Sequence, residues 1–314
     1  MVPWEVGLSF LFGAIMLETL APSADRSLGF SVANRNVRGR VVRLDAALNA
    51  VLSAHAYPPA IATLLAEALT LTALLGGTLQ DGAGSLTLQA QSSGGAVDLL
   101  VCDYARGQVR GYVRYDRDAL IPAGMSLPGL FGTGHLAITL DPSETSERYQ
   151  GIVPLEGADL SAAVTGYFEG SEQLPTLVRV GIGGTAETGW IAGGILVQHL
   201  ASSEIGGERL SVAIDEGRAH PDWEHVVALA STVADAELTD PDLSAETLLW
   251  RLFHEEQVRV VEGLPPSRGC RCSPAHIATV LGKFPEAERA SMRGEDGKVR
   301  VDCEFCARTW VIDI

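Results

Sequence analysis

The sequence predicts an α+β protein in three parts. These are a compact mixed N-terminal core domain, a helical linker, and a small C-terminal domain organised by four cysteines. Three observations carry this reading. Between residues 34 and 200, short alternating runs and apolar helical runs interleave without the regular strand–helix–strand rhythm of a parallel sheet. After Leu200 the composition turns polar, charged and Gly-rich. Of the chain's 5 cysteines, all but Cys102 lie in GCRC, at 269–272, and CEFC, at 303–306.

The chain opens with MVPWEVGLSFLFGAIMLETLAPSAD. Its apolar run from Val6 to Leu17 is short of the ~20 residues a membrane span needs. The only charge ahead of it is Glu5, where a secretory signal carries Lys or Arg. Residues 1–20 are therefore read as an extension outside the fold, and the core domain is placed at 21–202. In NVRGRVVRLDAALNAVLSAH a strand gives way at Asp45 to a helix, with Leu44, Leu48, Val51 and Leu52 at helical spacing. PPAIATLLAEALTLTALLGG starts at a Pro pair, is apolar almost all round and stops at Gly76-Gly77. A helix with no polar face is a core helix. GSLTLQAQ, AVDLLVCD, QVRGYVRY, HLAITL and RYQGIVPL alternate between Gly and Asp turns and read as antiparallel strands. DLSAAVTGYFEGSE reads as a helix, and TLVRVGIGG and GWIAGGILVQHL as the last core strands.

The linker is placed at 203–255. Its first part, ASSEIGGERLSVAIDEGRAHPD, is polar. Two amphipathic helices follow, one with the stripe Trp223, Val226, Val227 and Ala230, the other with Leu248, Leu249, Leu252 and Phe253. Ser244 is the expected N-cap of the second. The final domain is placed at 256–314.

Cys270-X-Cys272 and Cys303-X-X-Cys306 are separated by 30 residues. Two close thiol pairs from separate segments are how small modules give zinc four tetrahedral thiolates. CEFC lies between the strand-like KVRVD and RTWVIDI and reads as a knuckle in a hairpin. His276 is a possible competing ligand, and Cys102, in an apolar run, reads as a buried strand residue. One Zn2+ per chain is expected on Cys270, Cys272, Cys303 and Cys306. The site suits two roles: a structural ribbon, or a switch in which the metal keeps thiolates available to oxidants. A disulfide across a single intervening residue would be strained and easily reduced.

Charge and motifs narrow the class. A formal net charge of −16 opposes nucleic acid and anionic membrane, and 255–314 offers no basic excess. Four thiolates close a zinc shell that a catalytic site would leave open, and no HExxH is present, so an enzyme is not expected. CEFC lacks the strand–helix setting of a thioredoxin-like redox motif.

The cysteine spacing, together with NVRGRVVRLDAALNAVLSAHAYP, SETSERYQGIVPLEGADLSAAVTGYFEGSEQLPT, IAGGILVQHL and LLWRLFHEEQVRV, resembles the heat shock protein 33 family across residues 27–313. The resemblance implies a redox-regulated, ATP-independent holdase of the bacterial cytoplasm. The reduced, zinc-bound form would be inactive and monomeric. Oxidation would form Cys270–Cys272 and Cys303–Cys306, release zinc, unfold the switch domain and linker, and expose a surface that holds unfolding client proteins, as a homodimer. Trp223, Val226, Val227, Leu248, Leu249, Leu252 and Phe253 are the candidate client-binding surface. Residues 1–20 have no counterpart in the family, and the chain ends eight residues after Cys306, where family members often carry a further tail. A constitutive interaction protein with a purely structural zinc ribbon is the alternative.

Overall fold

The computed structural model describes residues 25–79, 84–141, 148–200 and 221–313. The expected extension at 1–20 and the polar first part of the linker lie outside these residues. The core is two antiparallel-rich sheets with one helix between them. The first sheet has the order β10-β1-β2-β9-β8. Its strands are β1 (Arg26–Val32), β2 (Val37–Leu44), β8 (Thr176–Thr185), β9 (Gly189–His199) and β10 (Val258–Glu262). The second has the order β11-β5-β4-β3-β6-β7. It comprises β3 (Ser85–Gly94), β4 (Val97–Ala105), β5 (Gln108–Tyr115), β6 (Gly132–Asp141), β7 (Tyr149–Pro154) and the two-residue β11 (Ser267–Arg268).

Helix α1 (Ala46–Leu52) follows β2 at Asp45, and α2 (Pro59–Gly76) starts on Pro59. The Asp45 side chain makes no cap. Instead the Asp25 carboxylate accepts from the backbone N–H groups of Asp45 and Ala47, at 2.9 and 3.1 Å. The apolar circumference of α2 has its physical reason in its place. It packs on β9 and β8 on one side and β4 and β5 on the other, and its side chains from Ile61 to Leu75 are nearly all buried. It is the one described helix long and apolar enough to cross a membrane, and it is the core of the sandwich. The short α3 (Leu127–Phe131) and α4 (Leu160–Tyr167) close the edges of this cluster, and Cys102 is fully buried within it.

The other face of the first sheet is covered by three helices: α5 (Pro221–Ala230), α6 (Asp235–Thr239) and α7 (Ala245–Phe253). Leu28, Phe30, Val32, Val37, Val41, Ile195 and Val197 point outward from the sheet. They meet Val226, Ala230, Val233, Leu238, Leu243, Leu248, Leu249, Leu252 and Phe253 in a second apolar cluster. The chain then re-enters the core. Residue 256 onward, assigned from sequence to the last domain, runs first as β10 antiparallel to β1, with Phe30 opposite Val260, and then as β11 beside β5. Only beyond Gly269 does it form its own unit: α8 (Pro274–Leu281), α9 (Glu286–Met292) and the hairpin β12 (Val299–Asp302) to β13 (Thr309–Ile312). That unit has a very small core of Leu281, Val299 and Ile312.

The α7 stripe is anchored by Phe253, whose ring lies 5.7 Å from that of Phe30. Phe253→Ala is expected to cost about 3–5 kcal/mol, the usual loss for a buried aromatic. It should also raise binding of an apolar dye to the reduced protein, because the exposed face is on the sheet. Urea unfolding with and without the dye measures both, and an unchanged midpoint would remove α7 from the structural account.

Candidate metal centre and the docked linker

The first cysteine pair leaves from the edge of the core. β11 pairs Ser267 with Gln108 and Arg268 with Val109, and the Gly269 N–H donates to the Val109 carbonyl at 2.9 Å. Cys270 and Cys272 follow at once. Ser273 then turns the chain into α8, its hydroxyl accepting from the His276 N–H at 3.2 Å. The second pair sits in the β12–β13 turn. The Cys303 carbonyl accepts from the N–H groups of Cys306 and Ala307, at 3.2 and 2.8 Å, and Ala307 adopts a left-handed φ of 54°.

These two local structures bring the four Sγ atoms within 4.8 Å of one another. Cys270 lies 3.2 Å from Cys272 and 3.6 Å from Cys303, and Cys272 lies 3.5 Å from Cys306. Four thiolates at ~2.3 Å from a tetrahedral ion have edges of about 3.8 Å. The donor set and its spacing fit a metal ion, and His276 is not part of the group.

Burial raises Cys270, but the Cys272 N–H and the three other thiols outweigh it and bring it down to about 7. Cys303 is pushed up to about 12, by burial first and then by Cys306 and Cys270, against the N–H groups of Cys306 and Phe305. Burial also raises Cys272. One thiolate forms readily and opposes the next, and a divalent cation among them reverses that opposition.

A contact not singled out from the sequence joins this centre to the core. Phe305, inside CEFC, lies edge-on to Tyr112 with centroids 5.0 Å apart. The Arg110 guanidinium carbon sits 4.0 Å from the Phe305 ring centroid, and Arg110 is itself held by Asp103, with Nε to Oδ2 at 2.8 Å. The only sequence signal was an aromatic residue between two ligands.

The expected linker surface is inward-facing. Val226, Leu248, Leu249, Leu252 and Phe253 are buried, and Trp223 is half-buried against the same cluster, 6.1 Å from the His199 ring. Val227 is half-buried outside the cluster, and Leu229 packs there instead. On α5 the buried stripe is completed by Leu229 and Ala230 beside Val226, and Val227 lies to its side.

Ion pairs reinforce the docking. Arg35 reaches Asp222 at 2.7 Å and Glu256 at 3.0 Å. Glu256, only 4% exposed, also accepts from Asn34 at 2.7 Å and lies 2.8 Å from the His225 Nε2. Burial alone would raise the Glu256 carboxyl, but Arg35, Asn34 and His225 together hold it below its usual range. Arg26 bonds Glu246 at 2.5 Å, and the buried Arg43 donates to the Leu243 carbonyl at 2.8 Å.

A two-sheet α+β core whose outer face is sealed by linker helices, followed by a four-thiol metal-binding unit, defines a class of protein. The chain matches the Hsp33 protein family over residues 25–313 and belongs to it. It is 42% identical to the 33 kDa chaperonin of Caulobacter vibrioides strain NA1000 / CB15N, covering 90% of this chain and 93% of that protein. It is 37% identical to the 33 kDa chaperonin of Pseudomonas aeruginosa strain LESB58, covering 92% of each. The crystal structure of the Thermotoga maritima 33 kDa chaperonin superposes with a TM-score of 0.73, covering 92% of this chain and 94% of that one at 21% identity, which bears on the fold. The chain is thus a chaperone of the Hsp33 family, with a four-cysteine cluster able to hold a metal ion.

Three outcomes are expected. Zinc-loaded protein prepared in reductant should carry one metal per chain by elemental analysis, and replacing Cys270 and Cys303 by Ser should abolish it. Phe305→Ala should keep the metal but lose roughly 1–3 kcal/mol of docking, for one aromatic pair and one cation–π contact. The sign is faster hydrogen exchange across 270–313 at unchanged metal content. Because Glu256 has a depressed folded pKa, its contribution is present above the ordinary Glu value and lost as pH falls through the folded one. Linker protection factors, corrected for the intrinsic pH dependence of exchange, should hold steady from pH 8 to about pH 5 and fall in more acid solution, an acid loss that Glu256→Gln diminishes.

Proposed function

We propose that the chain is a redox-regulated, ATP-independent holdase whose reduced, zinc-bound form is inactive. The observation that carries this reading is the continuity between the four-thiol cluster and the linker. The chain passes from α7, sealed on an apolar sheet face, through β10 and β11 directly to Cys270. Bound zinc would hold all four thiols deprotonated, the form oxidants attack. In each pair, two thiolates, one hydrogen peroxide and two protons give one disulfide and two waters. Cys270 with Cys272 and Cys303 with Cys306 are the proposed pairs. Each disulfide removes two ligands, so none remains for the cation.

The small unit would then lose its main support. Its apolar core is slight, and structural zinc supplies ~10–16 kcal/mol in such modules. Loss of Phe305 from its seat on Tyr112 and of β11 from β5 would free the strand that tethers α7. The apolar faces of α5–α7 and of the first sheet would then be open to unfolding proteins, and the released chain would pair as a homodimer in the cytoplasm.

The test is light scattering of an aggregating client protein. Reduced, zinc-loaded chain should not suppress aggregation, chain treated with peroxide and mild warming should, and reductant should reverse the effect. Hydrogen exchange should rise across 221–313 in step with activity while α2 and its flanking strands stay protected. Equal activity in reductant and oxidant would favour a constitutive interaction protein with a structural metal. Activity with exchange rising only across 268–308 would move the client surface elsewhere.

A further inference from the structure

Behind the linker-covered face, the first sheet carries a recess of about 240 Å³ that the chaperone reading does not use. Its lining includes Gly29, Ser31, Arg38, Arg40, Gln198 and Arg259, and no acidic side chain. The strand register explains the grouping. Ser31 on β1 stands between Arg38 on β2 and Arg259 on β10, and Gly29 stands opposite Arg40. Three arginines from two strands thus line one hollow, with the narrow Gly29 and Ser31 between them.

The hollow is built around Arg40. A Cβ on Gly77 would fall 2.7 Å from its Cδ and Nε, and one on Gly263 would fall 2.8 Å from its Nη1. Only residues without side chains leave that slot open. Nη1 donates to the Ser27 hydroxyl at 3.0 Å, and Nε is buried with no hydrogen-bond partner. Among the described residues the side-chain partner of Arg38 is the neutral Gln198, at 3.2 Å. Among the described residues no carboxylate pairs with Arg38, Arg40 or Arg259. This is notable in a chain with a net charge of −16, where Arg26, Arg35 and Arg110 all find one. Arg40, partly buried without a counter-charge, is costly to hold unless an anion completes it, and the exposed Arg38 and Arg259 stand beside it.

We propose that this recess binds one small oxyanion of the phosphate class, held by Arg38, Arg40 and Arg259 across β2, β1 and β10. Guanidinium groups recognise phosphate oxygens through paired N–H donors. The volume lies below the ~300–1,000 Å³ of sites for larger ligands, which selects a phosphate or pyrophosphate rather than a nucleotide. Ser31 and the buried Gln198 add neutral polar groups to the lining. The site has a consequence that rests on the function proposed above. Arg259 belongs to the strand that tethers α7, and Arg38 and Arg40 belong to the core, so a bound oxyanion clamps the tether and opposes release.

The experiment titrates inorganic phosphate and pyrophosphate, in separate runs, into reduced, zinc-loaded full chain by calorimetry, with ionic strength held by sodium chloride. Saturable binding of one anion per chain is expected. Arg38→Gln and Arg259→Gln, both at exposed positions, should each weaken it about tenfold, the worth of one charge-assisted contact. Arg148→Gln, elsewhere on the surface, should not. Absence of saturable binding, or equal binding by an R38Q/R259Q double variant, overturns the site. In the second arm, peroxide-induced client protection should be slower with the anion in wild type but not in the double variant. Anion binding without that delay, in protein that activates normally, overturns the clamp alone. Anion binding to protein that never activates overturns the redox reading and leaves the site standing.

Discussion

The structure depends on covering the second face of the first sheet. One face packs on α2 and is permanent. The other, with Leu28, Phe30, Val32, Val41, Ile195 and Val197, has no sandwich partner and would be open without α5–α7. Burying such a face at ~25 cal/mol per Å² is the dominant favourable term for the linker. It is also non-directional, which is what lets the same face accept other apolar chains in the proposed released state. The linker therefore needs directional contacts to specify it as the preferred occupant. Arg35 with Glu256 and Asp222, Arg26 with Glu246, and Arg43 with the Leu243 carbonyl provide them.

The C-terminal end of that cover leads to the four-thiol centre. The helices do not reach the cysteines directly. β10 adds a strand to β1, β11 adds two residues to β5, and the knots follow. The metal-binding unit touches the core mainly through β11 and Phe305, and its own apolar core is three buried residues. Such a unit gains most of its stability from ligands rather than burial. Its dissolution would release a two-residue strand and one aromatic contact, a small change at the terminus of a larger docked surface.

Much of this was legible in the sequence, for local reasons. Pro58-Pro59 and Gly76-Gly77 bracket α2, and its lack of a polar face required burial on every side. The cysteine spacing set out the ligand group, and CEFC between two β-branched runs required the hairpin that the structure has. What was not legible is long-range. Nothing local marks Val258–Glu262 as the partner of β1, because strand pairing across more than two hundred residues depends on the face left available after the rest has folded. The five-residue α6 lies below the length at which periodicity speaks, and it is held by Leu238 and by its place on the sheet. The Val226 and Val227 pair shows the same limit at one residue's resolution: the stripe was right in direction, and the packing partner chose Leu229. The strand gives way to the helix at Asp45 as the sequence suggests, but the carboxylate that accepts from the first N–H groups is that of Asp25, twenty residues earlier.

The charge of the linker closes the argument. Between Pro221 and Glu256 it carries nine carboxylates and one arginine, and the docked state sets these against Arg26 and Arg179 of the sheet and Arg35 of the turn between β1 and β2. Surface pairs of this kind contribute little each, ~0–1 kcal/mol, and salt screens them. Their larger effect concerns the undocked segment. In the proposed released state a stretch so acidic would repel itself and resist collapse onto its own apolar stripes. Without those charges, freed α5 and α7 would bury their stripes against each other and offer nothing to another protein. With them, in the proposed released state, the apolar surface removed from the sheet would have two outlets, the sheet again or a foreign chain, and the balance between them would be set by how strongly the tether at β10 and the four-thiol centre hold the first.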